Sequence, residues 1–576
     1  MEMILQSITA ILDPSVLLFM LVGVVVGALI GALPGLSVVM AISILTPITF
    51  SLSPEQGLAM LIGVYNSGVW AGGISAILVN TPGTPASIMT TLDGYAMTKR
   101  GEAGLALGIN TIYSAIGGII SSIILMFAAF PIAKFALKFG PAEYFALALF
   151  GLSMIIGISE KSVIKGIMMG CFGFLLATVG LDSMYAYPRF TFGNMNLLQG
   201  ISYVPVMIGL FGFGEVLTQV YESKMNEPKK EKAKIGRIFP TMKQFKNFAP
   251  VTFLSTLAST VIGAIPGAGG DIASIICWDQ AKKVSKEKEN YGKGSAEGLA
   301  VTCAANNGII GGAMTTMLTL GIPGDAVTAV LIGSLMMYGM QPGPMLFVEN
   351  KPFVYKLMVM MIIANLIFLV FGLLTAKASA KLLGFKKEYV WTAIILLSVV
   401  GSFAINNSIF DVLIMLVCGV AGFFLKKNDF PLPPLILGLI LGPMAESNLR
   451  RSLALTGGSY SIFVTNPISL ILLLFTVFAL TRDKDGAIVS DGNKVVFVEG
   501  MSVDAIDPTG AGDTFASMLI YGIQEGWELE KIAVYCNCAG SLAVTKQGSI
   551  GRALPTLEEV EALVKQGNCK YRVEMR

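Results

Sequence analysis

Side chains with oxygen to offer gather at four Pro-Gly breaks in an otherwise apolar chain. Ser37 follows Gly31-Ala32-Leu33-Pro34-Gly35. Asn80, Thr81, Thr84, Ser87 and Thr90 surround Pro82-Gly83. Ser274 follows Gly263-Ala264-Ile265-Pro266-Gly267, and Thr316, Thr319 and Thr328 bracket Pro323-Gly324. Proline removes a backbone donor and glycine tolerates unusual dihedrals, so each pair frees N–H and C=O groups. Inside a membrane that is tolerated only where protein or a wet cavity satisfies them. Freed N–H groups at a helix N-terminus attract anions. Freed carbonyls and hydroxyls suit a cation that prefers oxygen, such as sodium. No Lys or Arg stands in the immediate breaks, so an anion there is held by backbone dipoles and hydroxyls. Two acids sit beside breaks: Asp271, after Gly267-Ala268-Gly269-Gly270, and Asp325, after Pro323-Gly324. Acids within a membrane are costly and default to functional hypotheses. Each is either a cation ligand or an N-cap at a water-exposed loop. The substrate-binding candidates are therefore Asn80, Thr81, Gly83, Thr84, Ser87, Gly321, Gly324, Asp325 and Thr328, with Gly35 and Gly267. The cation-binding candidates are Asp271, Asp325, Ser37 and Ser274.

The elements that must position these residues are membrane helices. Of 576 residues, 54% are hydrophobic and 13% charged, against about 25% charged in soluble proteins. Apolar runs lie near 15–33, 56–79, 104–131, 142–158, 162–180 and 201–220. They resume near 249–265, 297–319, 326–340, 353–376, 388–404, 408–425, 433–445 and 459–480. At about 20 residues per crossing they allow about ten to twelve crossings. Met1 onward lacks a basic n-region and a small-residue cleavage site, so it reads as a retained membrane segment.

The breaks repeat. Beyond the Pro-Gly pairs, Gly57-Leu58-Ala59 matches Gly298-Leu299-Ala300. Asn66-Ser67-Gly68 matches Asn306-Asn307-Gly308 and Gly72 matches Gly312, with the register slipping by one residue in between. The halves span about 15–220 and 249–480. Between them, 221–248 carries Lys224, Lys229, Lys230, Lys232, Lys234, Arg237, Lys243 and Lys246. That stretch reads as a solvated linker, and the positive-inside rule puts it in the cytoplasm. Two interrupted segments in corresponding positions of two halves are the sequence pointer to a transporter's binding site, with inverted repeats as one form of that architecture. The bland alternative is that Pro-Gly only kinks helices for packing.

Composition excludes several chemistries. The chain has no His, which removes histidine proton relays, metal sites and catalytic triads together. A net charge of +3 gives no nucleic-acid footprint. The 7 Cys show neither zinc spacing nor a disulfide framework, so no metal site is expected. After 480 the composition turns ordinary and polar. The expected architecture is an all-α polytopic membrane protein with two pseudo-repeated halves and broken or re-entrant helices over 1–480. A small α/β soluble fragment follows over 481–576.

Residues 1–480 resemble the large membrane subunit of the tripartite tricarboxylate transporters, the TctA family. The text carrying this is Gly31–Leu36, Ala76–Ser87, Leu92-Asp93-Gly94-Tyr95, Gly209–Leu217, Gly263–Ser274, Thr319–Ala326 and Gly442–Leu453. The resemblance implies a secondary transporter of the bacterial inner membrane importing citrate, other tricarboxylates or related carboxylates as a sodium symport, with no other cofactor. It implies two partners, a small membrane subunit and a periplasmic solute-binding protein. It places the sites at Asn80–Ser87 and Gly321–Thr328, supported by Gly31–Ser37 and Gly263–Ser274. Asp271 departs from the pattern, which has a small or hydroxyl residue there.

The tail resembles the ribokinase-type (PfkB) sugar kinases through Asp507-Pro508-Thr509-Gly510-Ala511-Gly512-Asp513-Thr514-Phe515, Asn537 and Pro555–Val560. The resemblance implies Asp513 as catalytic base and Gly510, Ala511 and Gly512 as anion hole, with ATP and Mg2+ as cofactors. Only about the last third of such a kinase is present, and Asp483 stands where that family has glycine. The expectation is an inactive cytoplasmic fragment, either a remnant of gene fusion or an artificial join between neighbouring genes. Three functions are weighed: a transporter, a membrane-tethered kinase, and a passive channel. Repeated broken halves favour the first.

Overall fold

In the computed structural model the chain divides into two compact units, Met1–Ser469 and Leu470–Arg576. The structure describes residues 2–33, 36–157, 163–182, 186–223, 236–266, 269–379, 387–479, 486–490, 494–499, 514–515, 518, 521–522, 527–545, 555–565 and 570–575.

The first unit is built on two series of five helices. The first series is α1 Pro14–Ala32, α2 Val38–Thr49, α3 Pro54–Val79, α4 Ile88–Lys99 and α5 Ala103–Ala136. The second is α6 Met242–Gly263, α7 Gly270–Val284, α8 Ala296–Leu320, α9 Ala326–Met337 and α10 Lys351–Thr375. Helices α3 and α8 are the central pair, buried along almost their whole lengths. Ser53 opens α3 with a capping box to Gln56, and Pro54 takes the first turn, where a missing N–H costs nothing. Ser295 opens α8 by accepting from Gly298 N at 3.0 Å. Asn80 (φ 54°) closes α3 and Gly321 (φ 73°) closes α8. Both are residue types that tolerate the left-handed region, and each stops its helix just before Pro-Gly.

Because α3 and α8 are unbroken, one register relates them from Gly57 and Gly298 to their C-terminal caps. Gly57 to Gly298, Asn80 to Gly321 and Gly83 to Gly324 are each 241 residues apart. The one-residue slip expected from matching glycine to glycine is therefore corrected. Asn66 corresponds to Asn307, and Gly72 corresponds to Ala313.

Helix α1 packs on α3 and α6 on α8. A Cβ at Gly31 would lie 2.2 Å from Gly68 O, and one at Gly263 would lie 2.4 Å from Ile309 O. Small residues allow this backbone approach, the main source of helix association where lipid and side chain are equally apolar. The long outer helices change sides: α5 packs on α8, and α10 packs on α3. Each half thus encloses the central helix of the other.

Among the described residues seven helices are long and apolar enough to cross a membrane: α1, α3, α5, α10, Tyr203–Tyr221, Glu388–Asn406 and Ile409–Lys427. The chain is a multi-pass membrane protein. Helices α2, α4 and α9 have 12 residues each, which at about 1.5 Å per residue do not span about 30 Å of hydrocarbon. They are the re-entrant limbs. Helix α6 is long but amphipathic in the membrane sense. Thr252, Ser255, Thr256, Ser259 and Thr260 face inward, while Phe253, Leu254, Leu257 and Val261 are exposed. Its polar groups meet protein and its apolar face meets lipid.

A flank of further helices includes Val163–Ala177 and Pro433–Leu455, which pack together. Between Val163–Ala177 and the helix from Tyr203, a short hairpin pairs Gly180 with Arg189 and Leu181 with Pro188. Four charges hold it. Arg189 forks onto Glu446 at 2.6 and 3.1 Å. Arg450 reaches Asp182 at 2.9 Å and Glu446 at 2.7 Å. The Arg189 hydrogen bond holds the Glu446 carboxyl below the usual carboxylate range, against partial burial.

The second unit holds an antiparallel sheet of β1 Gly486–Ser490, β2 Lys494–Glu499 and β3 Tyr571–Met575, with β2 in the centre. Val496 and Val498 pack on Phe515, Ile532, Ala533 and Cys536. Helices Leu529–Val544 and Leu557–Lys565 complete an α/β fold.

Candidate functional site

Each Pro-Gly tip folds back onto its own half. Gly83 N donates to Gly72 O at 3.1 Å, and a Cβ at Gly83 would lie 2.1 Å from Gly31 O. A Cβ at Gly324 would lie 2.4 Å from Ala313 Cα and 2.9 Å from Gly263 O. The second break of each half therefore closes on the glycine of its first break. Only glycine fits at that approach.

The tips carry matching capping boxes. In the first, Ser87 Oγ donates to Thr84 O at 2.8 Å and lies 3.3 Å from Thr84 N, at the entry to α4. In the second, Thr328 N and Thr328 Oγ1 each donate to Asp325 Oδ1 at 2.7 Å. Asp325 N donates back to Thr328 Oγ1 at 2.9 Å, at the entry to α9. Thr84 and Asp325 are equivalent positions, as are Ser87 and Thr328. The boxes differ in charge: the first is neutral and the second contains a carboxylate. Of the two readings open for Asp325, the structure shows the N-cap.

Each tip also reaches the other half. Tyr65 OH donates to Asp325 Oδ2 at 2.5 Å. Across the pseudo-symmetric position, a Cβ at Gly270 would meet Ala86 Cβ at 2.6 Å and Asn306 Oδ1 at 3.3 Å. Asn306 is the counterpart of Tyr65. Thr84, Ser87, Gly83, Gly324 and Thr328 are buried, whereas Asn80 and Thr81 are exposed. Ser37 is the N-cap of α2, accepting from Met40 N at 3.1 Å. Ser274 is fully buried on α7. Asp271 lies in the first turn of α7, with its side chain outside the described residues. Gly35, Gly267 and the kinase-motif residues Gly510, Ala511, Gly512 and Asp513 also lie outside them. An apolar cleft of about 370 Å³ between α1, α2 and Lys387–Asn406 is lined by Leu29, Ile30, Leu33, Ile44 and Ile394. Apart from Tyr389 its lining is wholly apolar, which does not suit a carboxylate.

Two further features escaped the sequence reading. The first is Asp93 on α4, fully buried. Its Oδ1 accepts from Gly292 N (2.9 Å), Gly294 N (3.0 Å) and Ser295 N (2.7 Å), and Oδ2 accepts from Trp278 Nε1 at 2.9 Å. A limb of the first half is thereby tied to the start of α8 in the second. Asp93 lies within Leu92-Asp93-Gly94-Tyr95, whose spacing gives no sign of a partner about 200 residues on; only the fold supplies the turn. The second is an amide cluster. Asn307 Nδ2 donates to Asn66 O at 3.0 Å, and Asn365 Nδ2 donates to Asn66 Oδ1 at 2.9 Å. Asn66 and Asn307 were visible as amides in apolar helices, a signal the repeat reading used only for register. Asn365 lies in α10 without a motif.

Comparison with known proteins agrees with both resemblances. The description "Tripartite tricarboxylate transporter TctA family" matches residues 17–437. An uncharacterised 52.8 kDa protein in the TAR-I ttuC' 3' region of Agrobacterium vitis is 35% identical over 462 residues, 80% of this chain and 92% of that protein. A second protein of Agrobacterium vitis, in the TAR-II ttuC' 3' region, is 33% identical over 214 residues, 37% of this chain and 88% of its own length. In the tail, "pfkB family carbohydrate kinase" matches residues 473–557. Ribokinase of Bacillus subtilis is 32% identical over 126 residues, which cover 21% of this chain and 43% of the ribokinase. No solved structure matches the chain. With a family match across most of its length, laid over paired re-entrant limbs, this chain belongs to the tripartite tricarboxylate transporter TctA family.

Proposed function

We propose that the chain is the membrane permease subunit of a binding-protein-dependent secondary transporter that imports tricarboxylates or related carboxylates, coupled to sodium, by alternating access. It acts in the bacterial inner membrane with a small membrane subunit and a periplasmic solute-binding protein, its tail in the cytoplasm. The observation that carries this reading is the pair of capped tips, Gly83–Ser87 and Gly324–Thr328, each closed on its own half and touching the other. Helix N-termini with freed backbone donors suit carboxylates. Two equivalent tips give a substrate path two equivalent gates.

The substrate is held at Asn80–Ser87 and Gly321–Thr328, with Gly35 and Gly267 at the paired first breaks. The neutral first tip takes the carboxylate more readily than the second, where Asp325 already occupies the cap. Asp271, Asp325, Ser37 and Ser274 are the oxygen donors the breaks offer to a cation. The tail matches less than half of ribokinase, and no phosphoryl transfer is proposed for it.

The test is uptake of radiolabelled citrate, a dicarboxylate and an aromatic acid into proteoliposomes holding both membrane subunits, with the binding protein outside. Saturable uptake driven by an inward sodium gradient is expected. Uptake that is non-saturable and indifferent to any gradient would show a channel and reject the reading.

A further inference from the structure

Four helices meet where Asn66 of α3, Asn307 of α8 and Asn365 of α10 join, beside Gly118 of α5. The three asparagines are at most 1% exposed. Their amide orientations are set by what they donate to. Asn365 Nδ2 donates twice, to Asn66 Oδ1 at 2.9 Å and to Met361 O at 2.7 Å. Asn66 Nδ2 donates to Ile62 O at 3.0 Å, and Asn307 Nδ2 donates to Asn66 O. With the nitrogens so placed, the side-chain oxygens of Asn307 and Asn365 are buried without a hydrogen-bond partner. Buried polar atoms without partners are rare and call for a guest. Both orphans are acceptors, and each of the three amide nitrogens already has an acceptor. A carboxylate therefore finds only repulsion here, and the guest is a cation or a water.

We infer that this junction is a binding site for a monovalent cation of the sodium class, held by the side-chain oxygens of Asn307 and Asn365 beside Asn66. Neutral amide oxygens are hard ligands of the kind such ions take. The cluster has no carboxylate of its own to offset a doubly charged ion stripped of water. Among the described residues no group of three or more carboxylate, thiol or imidazole side chains could hold a metal ion. Close packing frames the site. A Cβ at Gly118 would lie 1.9 Å from Asn365 Oδ1. One turn away, Trp70 stacks on Phe368 with ring centroids 5.4 Å apart.

The location gives the ion its purpose, which rests on the transport reading above. Asn66 adjoins Tyr65, which holds Asp325 of the second tip. Asn307 adjoins Asn306, whose Oδ1 lies beside Gly270, the residue on which Ala86 of the first tip packs. An ion binding both oxygens ties α8 to α10 beside the contacts that lead to both tips, through Tyr65 to Asp325 and through Asn306 and Gly270 to Ala86.

The experiment is equilibrium binding of 22Na+ to the purified full-length chain in detergent, without binding protein or carboxylate. Potassium and choline serve as competitors at constant ionic strength, and Trp fluorescence is recorded in parallel. Saturable binding is expected, weakened at least tenfold in Asn307→Ala and in Asn365→Ala. Asn307→Asp adds charge at the acceptor but sets its second oxygen against Asn66 O, where a cation or a proton must offset the repulsion, so binding is expected to become pH-dependent and to fall with acidification. If the alanine variants do not purify as monodisperse protein, Asn307→Asp decides. No saturable sodium binding, or affinity unchanged in the variants, overturns the site and leaves an ordered water in its place. Since no substrate is present, that failure is distinct from a failure of carboxylate uptake.

Discussion

Asn307 donates its side-chain amide to the backbone carbonyl of Asn66 at 3.0 Å, and these two residues hold the same position in the two halves. Contact between equivalent residues is what a local two-fold relation produces at its axis. Away from that point the equivalences cross over. Asp93 on α4 touches the start of α8, where a Cβ at Gly298 would lie 2.5 Å from its carboxylate. Tyr338, just after α9, touches the start of α3, where a Cβ at Gly57 would lie 2.0 Å from its hydroxyl. Limbs α4 and α9 are thus each anchored on the other half's central helix.

The role of Asp325 separates by substitution. As a cap it needs only an acceptor, and asparagine caps as well as aspartate. Asp325→Asn keeps the cap on its one oxygen but turns N–H toward the Tyr65 hydroxyl, so it is expected to lose less of the thermal midpoint of the purified protein than Asp325→Ala, which loses the cap at about 0.5–2 kcal/mol. If Asp325→Asn abolishes uptake at unchanged stability, its charge serves transport and not only the fold. Equal uptake in Asp325→Asn and the parent limits the residue to capping.

Asp93 is expected to be far less tolerant. Its removal strips the acceptor from three backbone N–H groups, two of them on the buried residues Gly294 and Ser295. An orphaned buried donor costs about 1–3 kcal/mol. Asp93→Ala should therefore give little monodisperse protein by size-exclusion chromatography. Asp93→Asn keeps one oxygen for the backbone donors but turns N–H against the Trp278 indole or the backbone, and should fall in between. Full yield from Asp93→Ala would show that the anchor is dispensable.

How much of this was legible depends on the range of the signal. Pro82-Gly83 and Pro323-Gly324 announce themselves because proline and glycine act on their own backbone, wherever the rest of the chain lies. The capping partners are also local: Thr84 with Ser87, and Asp325 with Thr328, are three residues apart. The register was misread because glycine was matched to glycine. The structure conserves the closeness of two helices and lets either helix supply the small residue. The Tyr65–Asp325 bond, the cage around Asp93 and the Asn365 contact were invisible for a related reason. Each joins residues of opposite halves, about 200 to 300 residues apart, and only the packing of the two halves on each other brings them together. Among the described residues, the seven helices long and apolar enough to cross fall short of the count from apolar runs because some of those runs form shorter helices: Pro141–Gly157 has 17 residues, Val163–Ala177 has 15 and α9 has 12.

The ion cluster at Asp182, Arg189, Glu446 and Arg450 predicts a pH response. Glu446 titrates lower in the fold than in the unfolded chain, chiefly through its hydrogen bond to Arg189. Its contribution is fully present above the unfolded value of about 4.3 and is lost as pH falls through the lower folded value. For groups this exposed it amounts to about 1 kcal/mol or less. Thermal midpoints of the parent and of Arg189→Gln should therefore differ at pH 7 and converge below about pH 4. A difference that persists at low pH would assign the effect to packing of the Arg189 side chain.

The exchange of small residues between helices yields a compensation test. In the first half Gly27 on α1 faces Ser67 on α3, and in the second Ser259 on α6 faces Gly308 on α8. A Cβ at Gly308 would lie 2.4 Å from Ser259 Oγ, and the next nearest atom, Thr256 Cγ2, would lie at 3.3 Å. Gly308→Ser alone overfills the contact and should cost about 1–3 kcal/mol. Adding Ser259→Gly removes the obstructing hydroxyl and makes the second half read like the first. Ser67 bonds Gly63 O four residues back at 2.7 Å, and the introduced hydroxyl has the same kind of local bond open to it. Most of the loss should return, as a coupling of about 0.5–3 kcal/mol in a double-mutant cycle. The mirror exchange should fail. A Cβ at Gly27 would also lie 2.6 Å from the backbone oxygen of Val64, which Ser67→Gly does not move. Rescue in α6 and α8 without rescue in α1 and α3 would show that the halves share a packing rule but not a spacing. Rescue in neither would mean that backbone approach, and not the facing hydroxyl, sets the contact in both.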